Sequence, residues 1–118
     1  MKTTRPCQIV YLNFFSSKIK DSIAFTFYAI DDFSEYAFLL DVTELLDGHI
    51  VLEQIKMLVA HEHFNTSLPF TIMAVAGIEM EKDIRDFLKP LDGSIIFDRN
   101  TVIKKTRNFI AELNRFEG

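Results

Sequence analysis

The stretch AIDDFSEY, residues 29–36, decides the fold of this 118-residue chain. It lies between two apolar runs rich in β-forming residues, SIAFTFY at 22–28 and AFLLDV at 37–42. Asp and Ser commonly form turns, because their side chains bond to nearby backbone amides. The link is short, so the two runs are predicted to pair as an antiparallel hairpin.

Three further strands are predicted from apolar runs bounded by turn residues. The first run is apolar almost throughout, which is typical of a strand buried on both faces. The fourth follows Pro69 and ends at Gly77, and its uniform apolar character indicates a central strand. The predicted strands are 8–15, 22–30, 35–42, 70–76 and 94–97, with a polar turn at 16–21.

Three helices are predicted from apolar residues at helical spacing. The first is expected to begin at Asp47, a plausible N-cap, and to fade near Glu62 or His63. The second is predicted over 79–88, where the charged residues favour solvent. The third is expected to be capped by Asn100 or Thr101, and its inner face is predicted to carry Val102, Thr106, Phe109, Leu113 and Phe116.

The resulting order is β-β-β-α-β-α-β-α. Three leading strands joined by tight turns predict an antiparallel meander, and strands that alternate with helices require parallel crossover connections. We therefore expect an α/β (mixed α+β) fold, a mixed five-stranded sheet with helices packed on it. The length is that of one domain, so residues 1–118 are expected to form a single domain.

Charge is unevenly distributed around a formal net charge of −4. Residues 1–20 hold four basic and no acidic groups, whereas residues 21–62 hold nine acidic groups and one lysine. No apolar run reaches about 18 residues, so no membrane contact is expected. The single cysteine, Cys7, is expected to be structural and fits a reducing, cytoplasmic location.

Four segments in this order carry a family resemblance: IVYLN at 9–13, FYAIDDFS at 27–34, PFTIMAVAGIEM at 69–80 and NTVIK at 100–104. Together they resemble the catalytic core of retroviral-type integrases and transposases, within the ribonuclease H-like superfamily. The resemblance covers nearly the whole chain. It implies a ribonuclease H-like sheet with the strand order 3-2-1-4-5.

The family's catalytic Asp, Asp and Glu match Asn13, Val75 and Lys104 here. Two-metal phosphoryl transfer needs carboxylates to hold two cations about 3.5–4 Å apart. Asn13 offers a neutral oxygen, Val75 offers no ligand, and Lys104 adds positive charge. A shift of the last helix would bring Glu112 into register instead of Lys104. The resemblance therefore implies a degenerate site with no catalytic residues, no bound metal and no cofactor; Mg²⁺ or Mn²⁺ is expected only if the chain is an enzyme.

Other candidate sites favour structural roles. Asp31 and Asp32 are adjacent on a strand end and point to opposite faces, so a shared metal is not expected. His61 and His63 point apart on a helix and have no third ligand. The clustered phenylalanines, among them Phe25 on the same face as Phe27, are expected in the core rather than stacked on nucleobases. Any of these phenylalanines that face outward would form an association surface.

Three functions follow from these observations. The first is a non-catalytic, integrase-like domain that associates with a second copy, as a homodimer, or with another protein. The second is a DNA-binding remnant, for which the candidate contacts are Lys104, Lys105, Arg107 and Arg115 on the last helix, although a solvated helix face explains the same residues. The third is an active metal-dependent polynucleotidyl transferase with unconventional ligands.

Overall fold

The computed structural model describes the backbone of residues 2–117 and the side chains of residues 2–111. One mixed sheet has the strand order β3-β2-β1-β4-β5. The first three strands are antiparallel neighbours, and β4 pairs in parallel with both β1 and β5. This confirms the predicted sheet and its order. The strands are β1 Ile9–Ile19, β2 Ser22–Asp31, β3 Ala37–Thr43, β4 Phe70–Ala74 and β5 Gly93–Phe97.

The β1–β2 hairpin is longer than the sequence predicted. The polar segment expected as a turn at 16–21 is mostly strand, because pairing continues to Ile19 opposite Ser22. The turn itself is Lys20 and Asp21, with Lys20 in the left-handed region at φ 57°. Residues 16–19 contain neither Gly nor Pro, so the hairpin continues as a solvent-exposed arm although its side chains are largely polar.

Three helices pack on the sheet: α1 Gly48–Ala60, α2 Glu81–Leu88 and α3 Arg99–Glu117. The predicted cap of α1 is confirmed, since Asp47 Oδ1 accepts from the Ile50 amide at 2.9 Å. The cap of α3 was misplaced by the sequence. Asp98, rather than Asn100 or Thr101, accepts from the Thr101 amide at 3.1 Å and from the Thr101 hydroxyl at 2.8 Å.

The core is divided between the two faces of the sheet because successive β1 residues point to opposite sides. Val10 and Leu12 pack with α1 and α2, whereas Ile9 and Tyr11 pack against Val102 of α3. The predicted core role is confirmed for Phe27 and Phe38, which are buried in the larger cluster, and for Phe14 and Phe25, which pack against it. It is wrong for Phe33, which is 49% exposed in the β2–β3 turn. The most buried aromatic and aliphatic members of the larger cluster are Phe27, Phe38, Ile55, Leu58, Ile72, Ile84 and Leu88. Within the described residues, no helix is long and apolar enough to cross a membrane.

Gly77 lets α1 approach the end of β4. Its φ is +104°, a conformation that side chains disfavour, and a Cβ placed there would lie 2.7 Å from Val51 Cγ1. Both the turn after β4 and the close contact with α1 therefore require glycine at this position.

Candidate functional site

The β2–β3 turn is built around the buried carboxylate of Asp31. This residue is 1% exposed and accepts from the Cys7 amide at 2.9 Å. It also accepts from the Phe33 and Ser34 amides and from the Ser34 hydroxyl. Its oxygens are therefore occupied by the turn and by the segment entering β1, which confirms the structural role predicted for it.

Asp32 points to the opposite face, toward α3. It accepts from the Tyr11 hydroxyl at 2.7 Å and from the Thr3 hydroxyl at 2.8 Å, and it lies 3.7 Å from Lys105 Nζ. Burial acts to raise the pKa of Asp32, but the two hydrogen bonds and the lysine charge outweigh it and hold the pKa below its ordinary value. Burial and the Asp32 carboxylate raise the pKa of Tyr11. The carboxylates of Asp31 and Asp32 thus make separate sets of contacts.

Asn13 lies on the α3 face of β1, where its amide is committed to two neighbours. Its Nδ2 donates to Thr106 Oγ1 at 3.0 Å, and its Oδ1 accepts from the Phe14 amide at 2.8 Å. Thr106 is 1% exposed and donates in turn to the Val102 carbonyl at 2.8 Å. A hydrogen-bonded chain therefore joins the middle of β1 to α3.

Tyr28 completes this polar group, since it faces Asn13 across the β1–β2 ladder. Its side chain is fully buried, and its ring lies 4.7 Å from that of Phe109. Burial raises the pKa of Tyr28, opposed by the neighbouring Thr106 and Asn13 side chains. Asn13, Thr106 and Tyr28 form what we call the Asn13 cluster.

Val75 follows β4 directly and packs beside the Ile9, Tyr11 and Val102 cluster. It shares with Asn13 a narrow crevice between the middle of β1 and the end of β4, which has no room for a water molecule. The sheet therefore brings Asn13 and Val75 together, as the resemblance implied. Their combined donor set, a committed amide and an alkyl group, does not fit a pair of divalent cations.

Lys104 does not join this crevice. It is exposed on α3, and the α3 residue that contacts Asn13 is Thr106. The sequence placed Thr106 on the inner helix face without assigning it a function. A polar residue on an otherwise apolar face is the signal that could have identified it, because a buried hydroxyl requires a hydrogen-bonding partner.

The four predicted nucleic-acid contacts differ in their surroundings. Lys105 is the lysine paired with Asp32, whereas Lys104 and Arg107 are exposed and make no ion pair within residues 2–111. The side chain of Arg115, like those of Glu112, Leu113 and Phe116, lies outside the described residues. Two of the four predicted contacts, Lys104 and Arg107, are therefore exposed cations one helical turn apart, with no ion-pair partner among residues 2–111.

His61 and His63 belong to an aromatic cluster at the end of α1. The prediction that they point apart on a helix is wrong, because α1 ends at Ala60 and both residues follow it. Their rings lie 5.4 Å apart, and the His63 ring is 5.3 Å from Tyr36. His61 Nδ1 accepts from the His63 amide at 3.1 Å, so this nitrogen is occupied. Among the residues with described side chains, no three His, Cys, Asp or Glu are grouped as a metal site would require.

Cys7 lies beside this cluster in an open groove of about 330 Å³. The residue is 3% exposed, and burial raises the pKa of its thiol. Its thiol donates to the His63 carbonyl at a sulfur–oxygen distance of 3.8 Å. A buried thiol with a raised pKa is a poor nucleophile, which agrees with the structural role predicted for Cys7.

Solved structures that match this fold include retroviral integrases. The HTLV-2 integrase catalytic core domain in complex with magnesium, in its dimeric form, matches 94% of this chain and 72% of its own chain at a TM-score of 0.66 and 12% identity. The trimeric form of the same domain matches the same shares of both chains, at a TM-score of 0.67 and 12% identity. The fold is that of a retroviral integrase catalytic core.

A larger integrase-like assembly agrees with this fold assignment. The simian T-cell lymphotropic virus intasome in complex with PP2A regulatory subunit B56 gamma has a TM-score of 0.62 and 12% identity, with 87% of this chain matching 38% of that one. No protein-family model matches the chain, and no curated protein sequence matches it. At 12% identity these likenesses show the integrase-like fold alone.

Proposed function

We propose that this integrase-like domain is non-catalytic and acts through protein association, with a second copy or another protein as its partner. The observation that carries the proposal is the Asn13–Thr106 hydrogen bond. It occupies, with neutral groups, the place between β1 and α3 where the integrase resemblance puts catalytic carboxylates.

The chemistry of these residues supports the absence of catalysis. Two hard cations need several carboxylate oxygens to offset their charge. Asn13 already uses its amide nitrogen and its oxygen, and Thr106 already donates to the backbone. Val75 offers no lone pair, so a metal pair here would lose hydration without gaining adequate ligands.

Protein association is supported by exposed apolar side chains and by the solved structures of the same fold. Leu39 and Leu45 are each 67% exposed, which is large for leucine on a compact domain. The HTLV-2 cores are described in dimeric and trimeric forms, and the intasome is bound to a regulatory subunit. We place the domain, taken as one unit over 1–118, in the cytoplasm, where a free Cys7 persists.

The first experiment is a cleavage and strand-transfer assay on labelled duplex DNA with 5 mM Mn²⁺ or Mg²⁺. We expect no product above a protein-free control. Metal-dependent product that disappears in the Asn13→Leu variant would overturn the proposal.

Association is measured by sedimentation velocity between about 5 and 500 µM, alone and with candidate partners. We expect a concentration-dependent species or a partner complex. A strict monomer that enters no complex in a pull-down with purified candidate proteins would contradict the proposal.

DNA binding is a second candidate, favoured by the exposed positive charges of Lys104 and Arg107 on α3. Fluorescence anisotropy on single-stranded and duplex DNA at 50 mM and 200 mM salt tests it, because phosphate contacts weaken steeply with salt. Binding that is lost in the Lys104→Glu/Lys105→Glu variant, but kept in Lys82→Glu on α2, would establish this function. Failure to bind at 50 mM salt would exclude it.

A further inference from the structure

Strand β3 is an unpaired edge of the sheet. It is the outermost strand next to β2, so every second backbone amide and carbonyl of Ala37–Thr43 points away from the sheet. Pairing with β2 is regular from residue 37 to 39, and a register shift follows before residue 42. An extended segment could therefore add to the regular beginning of β3 before the bulge.

Apolar side chains are concentrated along this edge. Leu39 is the most exposed large hydrophobic residue of the strand, and it lies on the α3 face because its partner Tyr28 contacts Phe109. We call the exposed apolar residues at this end of the sheet the β3 edge surface. They are Phe33, Leu39, Val42, Leu45 and Leu46, between 38% and 67% exposed.

The segment that carries the β3 edge surface, residues 31–47, has only acidic charged residues. Residues 31–47 contain six acidic and no basic residues. Glu35, Asp41, Glu44 and Asp47 are exposed around the strand. A complementary partner therefore presents apolar side chains together with Lys or Arg, since like charges placed opposite one another cost affinity.

We propose that β3 binds, by strand addition, an extended peptide segment of another protein in which apolar and basic residues alternate. The inference rests on the proposed function and names the partner class for it. Backbone hydrogen bonds to the free edge supply affinity, and the apolar side chains of the segment cover Leu39. The basic side chains meet the surrounding carboxylates.

A second copy fits this edge poorly. Two β3 strands paired about a two-fold axis would place one acidic segment against another, because every charged residue within 31–47 is acidic. The bulge after Leu39 would also interrupt a long self-paired ladder. A short basic segment meets neither obstacle, so the charge pattern favours a different chain as partner.

The test uses the whole chain and three capped seven-residue peptides. The first alternates Lys and Val, the second alternates Glu and Val, and the third is the Lys/Val peptide with alternate backbone nitrogens methylated. Titration at 50 mM salt is followed by amide chemical shifts. We expect the Lys/Val peptide to shift β3 amides, the Glu/Val peptide to bind at least tenfold more weakly, and N-methylation to weaken binding similarly.

Variants separate the edge from the rest of the surface. Leu39→Gln removes apolar area without changing charge and is expected to weaken Lys/Val binding at least fivefold. Ile96→Gln is the matched control, since Ile96 is 45% exposed on the opposite edge strand β5, and it is expected to leave binding unchanged. Asp41→Lys/Glu44→Lys is expected to reverse the preference between the two charged peptides.

The inference is overturned if the Lys/Val peptide does not bind, or if the Glu/Val peptide binds equally well. It is also overturned if Ile96→Gln weakens Lys/Val binding as much as Leu39→Gln does. Self-association that Leu39→Gln abolishes would assign the edge to a second copy and also overturn it. The assay for DNA cleavage is independent of these outcomes, so the proposed absence of catalysis and this partner class fail separately.

Discussion

At the residue scale, the two adjacent aspartates of the β2–β3 turn show how sequence neighbours acquire different surroundings. Asp31 is enclosed by backbone amides, whereas Asp32 faces a tyrosine, a threonine and a lysine. Alternation along the strand alone separates them. Each therefore has a distinct and measurable effect on stability.

Asp31→Asn is expected to lower the free energy of unfolding by about 1–3 kcal/mol. The new amide group would point N–H donors at backbone N–H donors, and buried unsatisfied groups cost that amount. Urea denaturation measures the change. The control is Asp41→Asn, which alters an exposed residue and is expected to change stability by no more than about 0.5 kcal/mol. Equal effects of the two variants would contradict the role of Asp31 in the turn.

Asp32 is expected to make stability depend on pH. Its pKa is lowered in the folded state, so its stabilising contribution is complete above the ordinary carboxyl pKa of about 4. That contribution is lost as the pH falls through the lower folded value. Denaturation of the wild type and Asp32→Asn should therefore show a stability difference at pH 6 that diminishes below about pH 4. A difference that stays constant between pH 6 and pH 2.5 would exclude this linkage.

At the element scale, the docking of α3 depends on polar as well as apolar contacts. Val102 packs on the sheet, and Thr106, one turn later, bonds to Asn13. The helix thereby covers the position at which the integrase resemblance expects a metal site. Polar pairing of this kind is costly to break from one side, because the remaining group stays buried and unsatisfied.

A double-mutant cycle tests the α3 contact. Thr106→Val is expected to destabilise the fold by about 1–2 kcal/mol, since it leaves the Asn13 amide without its acceptor. Asn13→Leu/Thr106→Val replaces both polar partners with similar shapes and should be less destabilised than the sum of the single variants, with a coupling near 1 kcal/mol. Additive changes would show that the two side chains act independently.

At the scale of the whole molecule, the chain shares the fold of the integrase cores but not the residue types at two of their catalytic positions, Asn13 and Val75. The sheet order and helix positions agree with those cores, while the residues in the middle of β1 and at the end of β4 suit packing. A bound metal would stabilise the entire fold, because a ligand that binds only the native state shifts the unfolding equilibrium.

Melting in the presence of divalent cations therefore gives a whole-molecule prediction. A site with a dissociation constant of 1 mM would add about 1.4 kcal/mol at 10 mM cation. That corresponds to a melting shift of about 5 °C for a domain of this size. We expect Mg²⁺ and Mn²⁺ to shift the melting temperature by no more than about 1 °C relative to ionic-strength-matched NaCl. A shift near 5 °C that depends on Asn13 would indicate a metal site.

The local sequence pattern was sufficient to predict most strands and helices. It failed where contacts with residues elsewhere in the fold determine the structure. The β2–β3 turn, the Asp47 cap and the apolar central strands follow from residue types close in sequence. The extension of β1 to Ile19 could not be predicted from its polar residues, because pairing with β2 stabilises it. The N-cap of α3 was assigned to the wrong residue because Asp98, Asn100 and Thr101 are all suitable caps. In the structure it is Asp98 that accepts from the Thr101 amide.

The sequence by itself determined the order of strands and helices, the integrase-like topology and the absence of carboxylates at Asn13 and Val75. Those properties depend on periodicity, turn chemistry and residue identity, which are local. Only the tertiary structure decided that Thr106 faces Asn13, that Lys105 is paired with Asp32, and that the edge at Leu39 is exposed. The first two contacts join residues that are distant in sequence, and the exposure of Leu39 depends on which strand lies outermost. Both kinds of property arise only when the sheet is assembled.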